Sequence, residues 1–306
     1  MNLWTLISTI IISFGLTASP VYRLPTVTVN SESTQATLNL ELKESKESKL
    51  PYKIDNNSLG VKLTAESAAV MDKDTGIVLW QKNAQEQRSI ASITKLMTVI
   101  VFLENRPNWN DLITMQKEDE ANGSSSHISR GEIIKVSDLF YLTLVASDNN
   151  AAKALVRSTG LVEKDFVALM NKKATELGLT NTIFVDPTGL NQENKSTALE
   201  VLKLANTAFA YEDVLDVTSI TNYTLVTQAG RSQRIYSTNW LLNSYLNVEA
   251  GKTGHITASG YCLVSQVLGQ DGQRILTVVL GSESNDYRFF DAKVLSAWVL
   301  DNFTWS

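Results

Sequence analysis

The sequence predicts an α/β fold in which one mostly antiparallel sheet is assembled from the two ends of the chain. Three observations predict it. Apolar runs punctuated by turn residues read as strands over Ser67 to Gln81, and again over Ala258 to Gly281. Helical spacing of apolar residues dominates between about 108 and 212. A further amphipathic segment, Tyr287 to Leu300, closes the pattern. Strands at both ends with helices between them make the helical part an inserted lobe. A cleft between such a lobe and its sheet is a natural ligand site.

Taken in order, residues 1–19 read as a targeting segment. Leu3 to Ala18 is mostly apolar and uncharged, Pro20 closes it, and Thr17-Ala18-Ser19 offers a cleavage site. As a helix this stretch would span about 24 Å against a hydrocarbon core of roughly 30 Å. An export signal is the favoured reading and an N-terminal anchor the alternative. Either one implies the periplasm or the outer face of the cytoplasmic membrane. Residues 20–60 read as a tether, polar and charge-mixed, as in Lys43-Glu44-Ser45-Lys46-Glu47-Ser48-Lys49. The catalytic domain is expected over 61–306. Within it, Ser67 to Asp72 and Ile77 to Gln81 form a hairpin about Lys73-Asp74-Thr75-Gly76. A helix from Ser92 to Glu104 stops at Asn105-Arg106-Pro107. Helices follow over Val136–Leu144, Asn149–Ser158, Lys164–Leu177 and Ala198–Ala210. A strand from Ala258 to Leu268, opened by Lys252-Thr253-Gly254, then turns at Gly269-Gln270-Asp271-Gly272 into Ile275–Gly281.

Composition narrows the function. With 306 residues, 43% of them apolar, the chain buries a full-sized core. A net charge of −5 without any basic cluster excludes a nucleic-acid footprint. Cys262, the single cysteine, lies in an apolar run and reads as a buried thiol. Two histidines, His127 and His255, supply neither a His-based triad nor a metal centre, and no cofactor or metal is expected. A nucleophile here must find another base.

Three short motifs provide one. Ser92-Ile93-Thr94-Lys95, Ser147-Asp148-Asn149 and Lys252-Thr253-Gly254 stand in that order. An S-x-x-K match alone is weak, and Ser237-Thr238-Asn239 is a second S-x-N, so the ordered triple carries the weight. Ser92 opens a helix, where free N–H groups favour an oxyanion. Lys95, three residues on, shares its face, and an amine there can take the hydroxyl proton. In water such an amine is neutral only about once in 2,500 at pH 7, a deficit of roughly 4.6 kcal/mol. Partial burial and a second ammonium, Lys252, are expected to recover it. Ser147 is placed to relay a proton to a leaving amine, and Asn149 to hold a substrate amide or Lys95. Thr253 offers a hydroxyl to a terminal carboxylate, Gly254 allows close backbone approach, and the main chain of His255 offers a second oxyanion N–H.

With these residues the chain resembles the D-alanyl-D-alanine carboxypeptidase/endopeptidase family of low-molecular-mass penicillin-binding proteins. The likeness runs over about residues 62 to 303. It is carried by Ala91-Ser92-Ile93-Thr94-Lys95-Leu96-Met97-Thr98, by Met170-Asn171 with Leu177-Gly178-Leu179, and by Thr182-Ile183-Phe184. Pro187-Thr188-Gly189-Leu190, Ser196-Thr197-Ala198 and Gly251-Lys252-Thr253-Gly254 with Gly260-Tyr261-Cys262-Leu263-Val264 extend it. The resemblance implies a β-lactamase/penicillin-binding-protein-like fold with a five-stranded sheet. It also implies an acyl-enzyme at Ser92, Lys95 as general base, and Ser147 and Asn149 on the edge of the lobe. Lys252 and Thr253 would bind the substrate carboxylate, with Arg288 near it. The implied partners are peptidoglycan stem peptides and β-lactam inhibitors. Asp148 stands where the family usually has a small glycine, and Asn150 where aspartate is common. Two other readings compete, a non-catalytic penicillin-binding sensor and a class A-like β-lactamase. The latter needs a deacylating glutamate, and no E-x-x-x-N pattern lies between the second and third motifs.

Overall fold

The computed structural model describes residues 49–105, 107–121 and 126–306. The apolar leader and most of the expected tether lie outside these residues. Five strands build the central sheet: β1 (Ser67–Asp72), β2 (Val78–Lys82), β3 (Asn247–Ile256), β4 (Gly260–Leu268) and β5 (Arg274–Ser282). Their order is β3-β4-β5-β1-β2, and every pairing is antiparallel. The two ends of the chain meet where β5 pairs with β1, in the register Val278↔Ala69.

Both faces of this sheet are covered, and the two-residue period of a strand sorts its side chains between them. Ala68 and Val70 join Leu263, Val267 and Val279 on one face, while Ala69 and Met71 join Cys262, Val264 and Val278 on the other. Against the first face packs α7 (Asn285–Asn302), through Phe289, Ala292, Leu295 and Val299. The second face meets α1 (Lys95–Glu104) and α5 (Ala198–Ala208), which also touch the lobe. Between two layers, α1 has no polar face: Leu96 to Phe102 are all buried.

The lobe consists of α2 (Val136–Val145), α3 (Asn149–Ser158), α4 (Glu163–Glu176) and α6 (Glu212–Ser219), with α5 at its junction to the sheet. Side-chain oxygens start three helices by accepting orphan backbone N–H groups: Asp148 for α3, Thr197 for α5 and Ser284 for α7. Phe102, Trp109 and Phe140 interlock edge-to-face or tilted, with ring centroids 5.1–5.9 Å apart, and tie α1 to α2.

The structure departs from expectation at three places. Lys252-Thr253-Gly254 does not open the strand running to Leu268; it lies inside β3, a separate ten-residue strand at the sheet edge. Glu249, Gly251, Lys252, Gly254 and His255 interrupt the apolar alternation that would have revealed it. A two-stranded ribbon pairs Asn222–Val226 with Ser232–Tyr236. Pro51–Lys53, in the stretch read as a tether, pairs with Phe303–Trp305.

One buried carboxylate pins the entry into β1. Asp291 of α7 accepts hydrogen bonds from Thr64 N at 3.0 Å, and from Thr64 Oγ1, Ala65 N and Ser282 Oγ, each at 2.8 Å. Asp291→Ala strands buried donors. It is expected to lower the free energy of unfolding by about 3 kcal/mol or more. Urea denaturation measures this, and a loss below about 1 kcal/mol would show that these bonds are replaced by water.

Candidate active site

Ser92 lies in a 3-10 turn, Ala91–Thr94, that leads directly into α1 at Lys95. A 3-10 turn has three residues per turn, so side chains three apart eclipse. Lys95 Nζ accordingly stands 2.9 Å from Ser92 Oγ. It also donates to Asn149 Oδ1 at 2.6 Å and to the Thr188 carbonyl at 2.7 Å. Lys95 is fully buried, whereas Ser92 is only half-buried. Burial pushes the Lys95 amine down to about 7, against the opposing charges of Asp148 and Asp186. The expected lowering is present, but its main cause is desolvation rather than the neighbouring ammonium.

Ser147 occupies the break between α2 and α3 with φ +58°, an uncommon backbone for a non-glycine residue. Its hydroxyl accepts from Lys252 Nζ at 2.7 Å, and the same amine donates to the Thr253 carbonyl at 2.8 Å. Lys252 is buried, and its proton affinity falls well below the lysine range. Burial is the largest cause, followed by the charges of Lys95 and Arg288. The Thr253 hydroxyl pairs with that of Thr238 at 2.7 Å. Thr238 lies within the rival S-x-N, Ser237-Thr238-Asn239. Asn239 there caps the short turn at Trp240 by accepting from Leu241 N. Ser147, not Ser237, is the serine that meets Lys252.

The backbone of β3 runs against the Ser92 turn. A Cβ built on Gly254 would lie 2.8 Å from Ile90 O and 3.2 Å from Ser92 N. The backbone at Gly254 therefore passes close to the Ser92 N–H. The His255 ring is exposed and stacks on Tyr261 with centroids 4.0 Å apart. Arg288 is no surface arginine. It is 7% exposed, donates to the Gly254 carbonyl at 3.1 Å, and burial lowers it to about 10. Opposite these groups, the loop carrying Thr188 is built on Asp186. That carboxylate accepts from the N–H groups of Thr188, Gly189 and Asn191, from the Thr188 hydroxyl and from the Asn194 amide.

Comparison with known proteins agrees with this geometry. The profile of the D-alanyl-D-alanine carboxypeptidase family matches residues 53–284. The chain belongs to that family. It is therefore a serine-type D,D-peptidase. It is 36% identical over 205 residues to the D-alanyl-D-alanine endopeptidase of Haemophilus influenzae, covering 65% of this chain and 69% of that one. It is 32% identical over 226 residues to a D-alanyl-D-alanine carboxypeptidase of Bacillus subtilis, covering 72% of this chain and 58% of that protein's length. Among solved structures, the Streptomyces K15 DD-transpeptidase superposes with TM-score 0.75 at 30% identity, over 80% of this chain and all of the other. Penicillin-binding protein D2 of Listeria monocytogenes in its cefotaxime-bound form gives TM-score 0.71 at 29% identity, over 80% of this chain and all of the other.

Within this D,D-peptidase, Ser92, Lys95 and Asn149 form one hydrogen-bonded group and Ser147, Lys252 and Thr253 a second, the charge of Lys95 acts on Lys252, and Gly254 and Arg288 lie beside them. Motif reading missed the Thr188 carbonyl, Asp186 and Thr238. The first two had a signal in Gly189, whose segment is part of the family likeness. Gly189 has φ +84°, and a Cβ there would lie 2.0 Å from Ala91 O and 2.8 Å from Ser92 N. Gly189→Ala is expected to cost roughly 2 kcal/mol or more in stability. It should also slow acylation by more than about tenfold by displacing the Ser92 turn. Thermal unfolding and stopped-flow labelling test the two effects separately.

Proposed function

We propose that this D,D-peptidase cleaves the bond after a D-alanyl carbonyl in peptidoglycan stem peptides by way of an ester on Ser92. Ser92 Oγ attacks the carbonyl carbon while Lys95 Nζ takes the hydroxyl proton. The N–H groups of Ser92 and His255 hold the developing oxyanion. As the C–N bond breaks, the Ser147 hydroxyl gives its proton to the departing amine and, through Lys252, takes up the one that Lys95 removed from Ser92, which leaves Lys95 neutral again. Water then attacks the ester while Lys95 takes a proton from it, and as the bond from the acyl carbon to Ser92 Oγ breaks, Lys95 returns that proton to the serine. Lys252, Thr253 and Arg288 provide the positive and hydroxylic end that receives a terminal carboxylate. The observation that supports the reading best is a buried amine, lowered to about 7, that lies 2.9 Å from a half-exposed hydroxyl.

Two products are compatible with this chemistry. A carboxypeptidase releases free D-Ala, and an endopeptidase opens a D-Ala cross-link to a diamino acid. The endopeptidase names of the Haemophilus influenzae, Escherichia coli and Pseudomonas aeruginosa relatives, 31–36% identical to this chain, favour the second. Digestion of purified peptidoglycan separates them: loss of cross-linked dimers without free D-Ala is the expected result. β-Lactams are proposed to acylate the same serine and to leave slowly. Export through the apolar N-terminal segment, cleaved or kept as an anchor, brings the enzyme to this substrate.

Fluorescent penicillin should label the wild type covalently, Ser92→Ala should abolish labelling, and Lys95→Ala should cut the acylation rate by at least about 10³-fold without unfolding the protein. Labelling that persists in Ser92→Ala would remove the nucleophile. Because the base acts without its proton, the rate should rise with pH and reach half its plateau near pH 7. Below that point it should fall about tenfold per unit. Release of product from a D-Ala-D-Ala peptide excludes a pure sensor, and rapid penicillin turnover would instead mark a β-lactamase.

A further inference from the structure

Asp148 and Asn150 flank Asn149, and both side chains accept hydrogen bonds from backbone N–H groups outside α3. Asn150 Oδ1 accepts from Ala121 N at 2.9 Å, and Asp148 Oδ2 from His127 N at 2.8 Å. The Asp148 carboxylate is buried more deeply than a cap requires. It is 1% exposed, its Oδ1 accepts from Ala151 N at 2.9 Å, and its Oδ2 lies 3.0 Å from His127 Nδ1. A negative group is thus enclosed between Ser147, which meets one buried lysine, and Asn149, which meets the other.

We propose that Asp148 is a positioning residue for the reaction, a buried countercharge set between Ser147 and Asn149 that orients both against the two lysines. The proposal rests on the reading of Lys95 as the base.

A small uncharged residue at this position would leave the break between α2 and α3 without a carboxylate. In this chain the charge of Asp148, at the start of α3, and that of Asp186, in the loop at Thr188, both act on Lys95, and the charge of Lys95 in turn acts on Lys252 of β3. On its other side Asp148 meets His127. The His127 carbonyl accepts from Arg231, whose guanidinium is itself paired with Glu132. Asp148 favours the ammonium form of Lys95, against burial. Its charge therefore holds the base's working range higher than burial alone would set it. A lysine too easily deprotonated is a weaker base once neutral, so the carboxylate keeps Lys95 strong enough to draw a proton from a hydroxyl.

Asp148→Asn and Asp148→Ser test this. Both keep an oxygen that caps α3 and remove the charge, together with one of the two carboxylate acceptors. The second-order rate of acylation by fluorescent penicillin is measured from pH 5 to 9 for wild type and both variants. Thermal unfolding verifies that each is folded. The expected result is a half-plateau point displaced to lower pH by about half a unit or more in both. A half-plateau point unchanged in folded variants, or moved to higher pH, overturns the proposal, whatever happens to the plateau rate. A wild type with no acid limb, or with no acylation, would instead overturn the reading of Lys95. Failure of this inference and failure of the proposed function are therefore separate results.

Discussion

The molecule is arranged around an amine that has been taken out of water. Lys95 is fully buried, and its three acceptors are the Ser92 hydroxyl, the Asn149 amide oxygen and the Thr188 carbonyl, none of them charged. Pairing with a carboxylate would have stabilised the ammonium and stopped it acting as a base. Neutral acceptors satisfy the donors of the amine while leaving the cost of charge in place. The carboxylates that do act on it, Asp148 and Asp186, keep their oxygens occupied elsewhere, on His127 and the α3 N-terminus and on the Thr188 loop. They act on Lys95 through their field alone.

Bringing those acceptors together demands backbone that ordinary residues avoid. Ala91 and Ser147 both take positive φ, one beside the nucleophile and the other at the relay hydroxyl. Such conformations persist only where the surroundings over-determine them. Here the surroundings are specific. Gly189 and Gly254 let two other segments of main chain press on the Ser92 turn, closer than any side chain would permit. Ser147 is held between α2 and α3, with the Asp148 cap immediately after it. The sheet supplies Lys252 and Thr253 and the lobe Ser147 and Asn149, so the packing of α1 between them sets where these groups stand relative to the locally fixed pair of Ser92 and Lys95.

Much of this was legible in the chain because the chemistry lives in short, local patterns. The helices Val136–Val145, Asn149–Ser158 and Glu163–Glu176 follow from apolar spacing, and the pairing of the chain ends follows from where strands recur. The spacing of Ser92 and Lys95 states their contact outright. What stayed hidden depends on tertiary position. β3 carries Lys252, Gly254 and His255 where an apolar alternation would have marked a strand, since an edge facing a substrate has other demands than a core. Thr188 contributes through its carbonyl, which leaves no trace in residue identity. Thr238 sat inside a motif that matched by composition and differed only in what it touched. Partial burial and the Lys252 ammonium together are the expectation for what lowers Lys95. Burial does that first, a property no local pattern reveals.

The two lysines remain coupled, and the coupling has a direction once a substrate is present. The ammonium of Lys95 depresses the proton affinity of Lys252, and by reciprocity a protonated Lys252 depresses that of Lys95. In the free site both are buried and neither holds a proton firmly. A substrate carboxylate arriving beside Thr253 and Arg288 adds negative charge next to Lys252, which then binds a proton more tightly. That proton in turn weakens the hold of Lys95 on its own. Recognition of the carboxylate and deprotonation of the base thus become one event on the proposed mechanism. A ligand without the anionic end would meet a site whose amine is less ready. This gives a physical reason for selectivity toward chains that end in, or carry, a D-alanyl carboxylate, beyond the contacts that the carboxylate itself makes.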